Sequence, residues 1–134
     1  MPVGNYDGQI RHVAVLGGRE IKASPTYSYI TNGITLDGSK FAAGELVLEG
    51  QCLVKDNTSG KYEKYAEATA GTFPVGKSNP VILDQSVKFE LTDAGANADR
   101  IVGQVLVRAD VYKGMLIGWT QKFQDSVAGA IRIL

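Results

Sequence analysis

The stretch at residues 44–65, GELVLEGQCLVKDNTSGKYEKY, constrains the fold more than any other part of the chain. Leu46 and Leu48 alternate with Val47 and Glu49, and after Gly50 the apolar pattern resumes at Cys52, Leu53 and Val54 before Lys55. A period of two sends successive side chains to opposite faces of a strand. Asp56-Asn57-Thr58-Ser59-Gly60 then supplies five turn formers, short polar side chains that bond back to the backbone and a glycine free to take positive φ. Tyr62 and Tyr65 carry the chain back out. The stretch predicts a β-hairpin with a polar tip, and the tip holds no reactive group.

The rest of the chain repeats this alternation of short apolar runs and turns. Tyr27, Tyr29 and Ile30 suit a short strand, and Asn32-Gly33 is the strongest short hairpin signal, because both central positions of a type I′ turn require positive φ. Ile34 and Leu36 precede Asp37-Gly38; Val81-Ile82-Leu83 and Val87, Phe89, Leu91 are two further strands, followed by a small-residue loop at 92–99. Residues 101–112, IVGQVLVRADVY, form the longest β run, with Val105, Val107, Ala109 and Val111 on one face and Leu106, Arg108, Asp110 and Tyr112 on the other. Near the end the period changes: Leu116, Trp119, Phe123 and Val127 are spaced by three and four, which predicts a short helix with Gly129 as its C′ residue. Ile131 and Ile133 close the chain as a strand. The reading is a mainly-β fold, a small barrel- or sandwich-like domain at 19–134 with hairpins, a short C-terminal helix and an extended N-terminal arm at 1–18.

Composition narrows the function. Fourteen Lys and Arg balance fourteen Asp and Glu, so no basic footprint for nucleic acid and no polybasic run for a membrane is present. Sixteen glycines against two methionines and one tryptophan favour a turn-rich β protein over a helical bundle. Cys52 is the only cysteine, which excludes an internal disulfide, and its strand context predicts a buried, inert thiol. His12 is the only histidine, which excludes a histidine metal cluster, and no Ser-His-Asp triad can be assembled around it without inventing partners. No cofactor is expected. No basic-then-apolar leader opens the chain and no apolar run reaches the ~18 residues of a membrane span, so a soluble protein kept in a cytoplasm is expected.

One motif has the spelling of a phosphate-binding loop. Residues 71–78, GTFPVGKS, match G-x-x-x-x-G-K-S, with Lys77 and Ser78 in the phosphate and magnesium positions. Such a loop needs a buried parallel strand before it and a helix after it. Residues 63–70 are too polar for that strand, and Pro80 disfavours a helix by pushing Asn79 towards extended backbone. Val81-Ile82-Leu83-Asp84 has the look of a magnesium strand but no crossover helix precedes it. The match therefore reads as a Gly/Pro loop, with nucleotide binding as the rival, and the dispersed Asp37, Asp56, Asp84, Asp93, Asp99 and Asp110 read as solvated turn residues. Tyr62 and Tyr65 read as cross-strand packing in preference to a stacking platform for a base or sugar. A secreted β-domain for carbohydrate is a third reading.

The hairpin also carries a resemblance. Lys55-Asp56 before the turn, then Thr58-Ser59-Gly60-Lys61-Tyr62 and Tyr65, resembles the "K-D, T-x-G-K-Y, x-x-Y" hairpin of the lambda-type head decoration, or capsid cement, proteins of tailed phages. Residues 104–111, QVLVRADV, followed by Leu116-Ile117-Gly118, are similar to the family's "V-L-V-R-G-x-V" strand and "A-L-I-G" step into a C-terminal helix, with Ala109 in place of the usual Gly. The resemblance covers roughly residues 34–134. It implies a non-enzymatic homotrimer on the outer surface of an expanded virion capsid, with the major capsid protein as partner. It also implies an N-terminal arm that orders on the shell; by position Val3, Tyr6, Ile10, His12, Val13 and Val15 would be its capsid-binding residues. Unaided, the same segment reads as strand-capable residues without a fold of their own, able to add to a partner's sheet edge.

Overall fold

A computed structural model describes residues 20–134. The arm expected at 1–18, with all six of its proposed contact residues, lies outside the described residues. The protein is mainly β, as expected, with one short helix near the C-terminus. In chain order the strands are β1 Ser28–Tyr29, β2 Ile34–Leu36, β3 Leu46–Val47, β4 Cys52–Asp56, β5 Tyr62–Lys64, β6 Lys77–Leu83, β7 Val87–Lys88, β8 Arg100–Val102, β9 Val105–Val111 and β10 Ile131–Ile133; helix α1 is Gln121–Val127. Eight strands form one curled half-barrel sheet in the order β1-β9-β6-β4-β5-β2-β8, with β10 added parallel to β9. The remaining two, β3 and β7, pair antiparallel as a small second sheet.

The predicted hairpin forms. Antiparallel β4 and β5 set Leu53 opposite Lys64, Val54 opposite Glu63 and Lys55 opposite Tyr62. The tip closes through local chemistry: the Asp56 amide donates to the Lys61 carbonyl at 2.9 Å, the Thr58 amide to Asp56 Oδ1 at 2.9 Å, and Gly60 takes φ +75°. The leading half of the stretch does not belong to this hairpin. Gly50 turns the chain at φ +93°, where a Cβ would stand 2.2 Å from the Met115 carbonyl oxygen, so β3 is diverted to pair with β7.

Other local signals held while their pairing changed. Asn32 and Gly33 both take positive φ, at 69° and 71°, yet β1 and β2 do not pair with one another. Strand β1 joins β9, and β2 lies between β5 and β8. The long run at 101–112 breaks at Gly103-Gln104 into β8 and β9, which belong to opposite ends of the sheet order. Its two-faced alternation also slips: Val105 and Val107 pack with one core cluster, whereas Ala109 and Val111 join Leu106 in the other, because β9 turns as its neighbour changes from β6 to β10. Asn79 is not extended; it takes φ +50° in a bulge where Asn79 and Pro80 together face the single residue Val54, and the bulge absorbs the proline's missing N–H.

The two core clusters occupy the two faces of the sheet. Leu53, Tyr62, Val81, Leu83 and Val105 point to one face, where Phe41, Val47, Val87, Phe89 and Val102 cover them. Cys52, Val54, Ile82 and Leu106 point to the other, against Phe123 and Val127 of α1, Tyr65 and Ile131. The helix starts at Thr120, whose hydroxyl accepts from the Phe123 amide at 3.1 Å. Leu116 and Trp119 precede it, so only half of the predicted apolar stripe is helical. Gly129 occupies C′ without left-handed backbone; the last turn tightens instead through Ala128 N–H to Asp125 O.

Candidate functional site

The described chain begins by bracing itself on β9. The Ile21 carbonyl accepts from the Tyr112 amide at 2.9 Å, the Ala23 amide donates to Asp110 O at 2.8 Å, and the Ile21 side chain is fully buried. From this point Lys22 Nζ reaches Asp84 Oδ2 at 2.7 Å, and the Tyr29 hydroxyl donates to the same oxygen at 2.6 Å. Asp84 is 5% exposed, so its reading as a solvated turn carboxylate is corrected: the carboxylate is internal and already engaged. Burial alone would pull the Lys22 ammonium down, but the hydrogen bond and attraction of Asp84 outweigh it, and its pKa lies above 10.5. Burial, then Asp84, push the Tyr29 phenol up as well. The cluster fixes the place from which residues 1–19 depart.

Residues 71–78 do not have the architecture of a phosphate loop. Lys77 opens strand β6, directly opposite Asp56, with Ser78 the next residue of that strand and no helix start there. The Lys77 ammonium lies 3.0 Å from Glu63 and 3.5 Å from Asp56, and Ser78 Oγ donates to Asn57. The Asn57 amide in turn donates to Gly76 O at 3.0 Å. The residues that spell the motif thus tie the loop to the neighbouring hairpin tip.

Among the described residues, an opening on the surface lies between β7 and β8. Ile82 stands opposite Leu106 and Leu83 opposite Val105; the Asp84 amide then donates to Gln104 O at 2.8 Å. Further on, Leu91 stands opposite Asn97 and the Ala98 amide donates to Glu90 O at 2.9 Å, in the same register. Residues 82–106 therefore trace one long antiparallel hairpin, paired at its root and near its tip and open between, where β7 leaves for β3 and β8 leaves for β2. A cleft of about 670 Å³ follows the open stretch, lined by Gly44, Arg100 and the consecutive residues from Ser86 to Leu91. Two large apolar side chains stand out of the surface nearby, Leu91 at 54% and Ile101 at 74% exposure. The Ser86 hydroxyl is buried in the cleft wall and has no hydrogen-bond partner.

Other expectations fall as follows. Cys52 is fully buried and burial pushes its thiol up to about 12, so it is the inert packing residue expected. Tyr62 and Tyr65 are both buried on opposite faces, Tyr65 against Phe123 and Phe73, as packing residues. Trp119 is half-buried, its indole N–H donating to Gln124 at 3.0 Å beneath the Lys113 ammonium. Asp110 lies within β9, not in a turn, and Asp99 accepts from the Gly38 amide and Lys61. Two structural nodes escaped the sequence reading. Asn97, in the small-residue loop, donates to the carbonyls of Gly38, Phe41 and Ala42 and accepts from the Gly44 amide, bracing the loop across the small sheet. Glu67 accepts from the hydroxyls of Thr120 and Tyr65 and the amide of Gly71, which hold its carboxyl below the ordinary range. Neither had a signal in spacing or composition.

Among the described residues no group of three or more His, Cys, Asp and Glu side chains is placed to hold a metal ion, and no helix is long and apolar enough to cross a membrane. Set against protein-family models, curated proteins and solved structures, the chain matches none of them.

Proposed function

We propose that the chain is a non-enzymatic virion component: a mainly-β homotrimer that binds the outer surface of an expanded phage capsid and cements neighbouring capsid subunits, with residues 1–18 as the arm. The observation that carries this reading is the hairpin of β4 and β5. The residues that resemble the decoration-protein pattern, Lys55-Asp56, Gly60, Lys61 and Tyr62, fold as a tight hairpin within a mainly-β domain that ends helix-then-strand. A cement protein binds the assembled shell in preference to free subunits and adds its binding energy to shell stability by mass action. Three arms on one trimer gain from effective concentration once the first has landed, so individually weak contacts hold tightly together.

The test is the solution mass of the full chain by light scattering, followed by sedimentation with expanded, undecorated phage shells. A trimer that co-sediments at fixed stoichiometry, and loses this on deletion of residues 1–18, is the expected result. Absence of association with any shell overturns the cement reading; association that survives the deletion overturns the arm assignment.

A further inference from the structure

We propose that the open stretch between β7 and β8 is a docking groove for this chain's own N-terminal segment, through the strand-capable residues 12–16. Three observations carry the inference. The first is the fork itself. Pairing in one register at Leu83–Val105 and again at Leu91–Asn97 shows that the two strands are built to be neighbours, yet each has turned to another partner between those points.

The second is the lining. Six consecutive residues from Ser86 to Leu91 line the cleft, and Val87 and Phe89 among them are buried. The exposed part of the wall belongs to Lys88, Glu90 and Leu91, along an extended stretch of the kind to which a peptide strand adds. Leu91 and Ile101 offer apolar contact beside it, and the Ser86 hydroxyl, buried without a partner, is a polar group of the kind that folded proteins leave unsatisfied only rarely.

The third is the tether. Lys22, three residues after the last undescribed one, bonds to Asp84, two residues before Ser86, so the chain emerges beside the root of the fork. His12-Val13-Ala14-Val15-Leu16 is the strand-capable part of the undescribed segment. Five extended residues span about 17 Å, the length of Ser86 to Glu90, and the six steps from Leu16 to Lys22 reach about 20 Å. A tether of that length holds the segment at millimolar effective concentration, which favours it over a second copy. Docked in this way the arm is withheld from other partners. For the cement reading, on which only this consequence rests, the fraction of undocked arm would scale the affinity for the shell.

Hydrogen exchange on the full chain tests the docking without any capsid. Amides from Ser86 to Glu90 are expected to exchange at least tenfold more slowly in the full chain than in the chain lacking residues 1–18, while β4 and β5 amides stay equally protected and so report an intact fold. In the full chain, Val13→Asp with Val15→Asp, and separately Leu91→Arg, should each remove the protection. A synthetic peptide of residues 8–18 should restore it to the truncated chain. Equal exchange in the full and truncated chains overturns the proposal, as does protection that persists without residues 1–18 and grows with protein concentration, which would place a second copy in the groove. Seam protection without shell binding would instead reject the cement reading and leave the docking standing.

Discussion

The two hairpins of this protein follow the same rules to opposite ends. The one made by β4 and β5 is short and closed: three opposed pairs, a tip held by Asp56, Thr58 and Gly60, and one face buried on each side of the sheet. The other, from Ile82 to Leu106, is long and keeps its register at both ends, but its middle is pulled apart. Local turn chemistry explains the first. In the second, burial decides: Val87 and Phe89 are carried into the core beneath β3, and Val102 follows β2, so apolar area outweighs the ladder bonds given up between them. The closed hairpin keeps its inner pairing while β6 and β2 take its outer edges.

That comparison can be broken by removing what holds the fork open. Phe89 is 2% exposed and packs on Phe41 with ring centroids 4.8 Å apart. Phe89→Ala should cost about 4 kcal/mol in chemical denaturation and loosen β7 from β3. Leu53→Ala, equally buried in the closed hairpin, should cost about 3 kcal/mol without freeing β7 amides to exchange. If both variants release β7 alike, the fork has no core of its own.

At the root of the fork, Asp84→Ala leaves the Lys22 ammonium and Tyr29 hydroxyl without their buried acceptor and should destabilise by about 3 kcal/mol, against about 1 kcal/mol for Tyr29→Phe. Equal costs for the two would mean the ion pair adds nothing beyond the phenol's bond. The glycines sharpen the contrast further. A Cβ at Gly33 would stand 2.4 Å from the Val102 carbonyl oxygen on the β8 lip, whereas one at Gly60 meets open space, and both residues have positive φ. Gly33→Ala should therefore cost about 3 kcal/mol and Gly60→Ala only about 1 kcal/mol, read as shifts in denaturation midpoint.

The smallest effect separates the two regions by pH. At the closed tip, the Thr58 amide, and then Lys77, hold the Asp56 carboxyl below its ordinary 3.8. A depressed carboxylate contributes stability that is present above 3.8 and lost as pH falls through the folded value. At the fork root Lys22 lies above 10.5, so its contribution is complete below that pH and lost as pH rises through the raised value. An NMR titration should place the Asp56 midpoint below 3.8 and the loss of the Lys22–Asp84 contact above 10.5. A midpoint for Asp56 at or above 3.8 would show that the tip is not held by its own turn.

What the residues determined by themselves was local. The apolar run at 52–54, the five turn formers at 56–60, the i, i+4 pair Phe123 and Val127, and the Ile131-Arg132-Ile133 ending each produced the element they predict, because backbone sterics and short-range hydrogen bonds suffice for them. The inert burial of Cys52 was legible for the same reason. Tertiary structure decided which strands meet. Asn32-Gly33 turned without making a hairpin, Gly50 sent β3 to β7, and Lys77 and Ser78 at the end of the spelled phosphate motif opened a strand, since the partner of an edge is chosen by the apolar area buried on both faces and not by the residues at the turn. Asp84 shows the limit most plainly. In sequence it follows an apolar run like any turn carboxylate, and only the arrival of Lys22 and Tyr29 from 62 and 55 residues away makes it the buried charge from which the N-terminal segment departs.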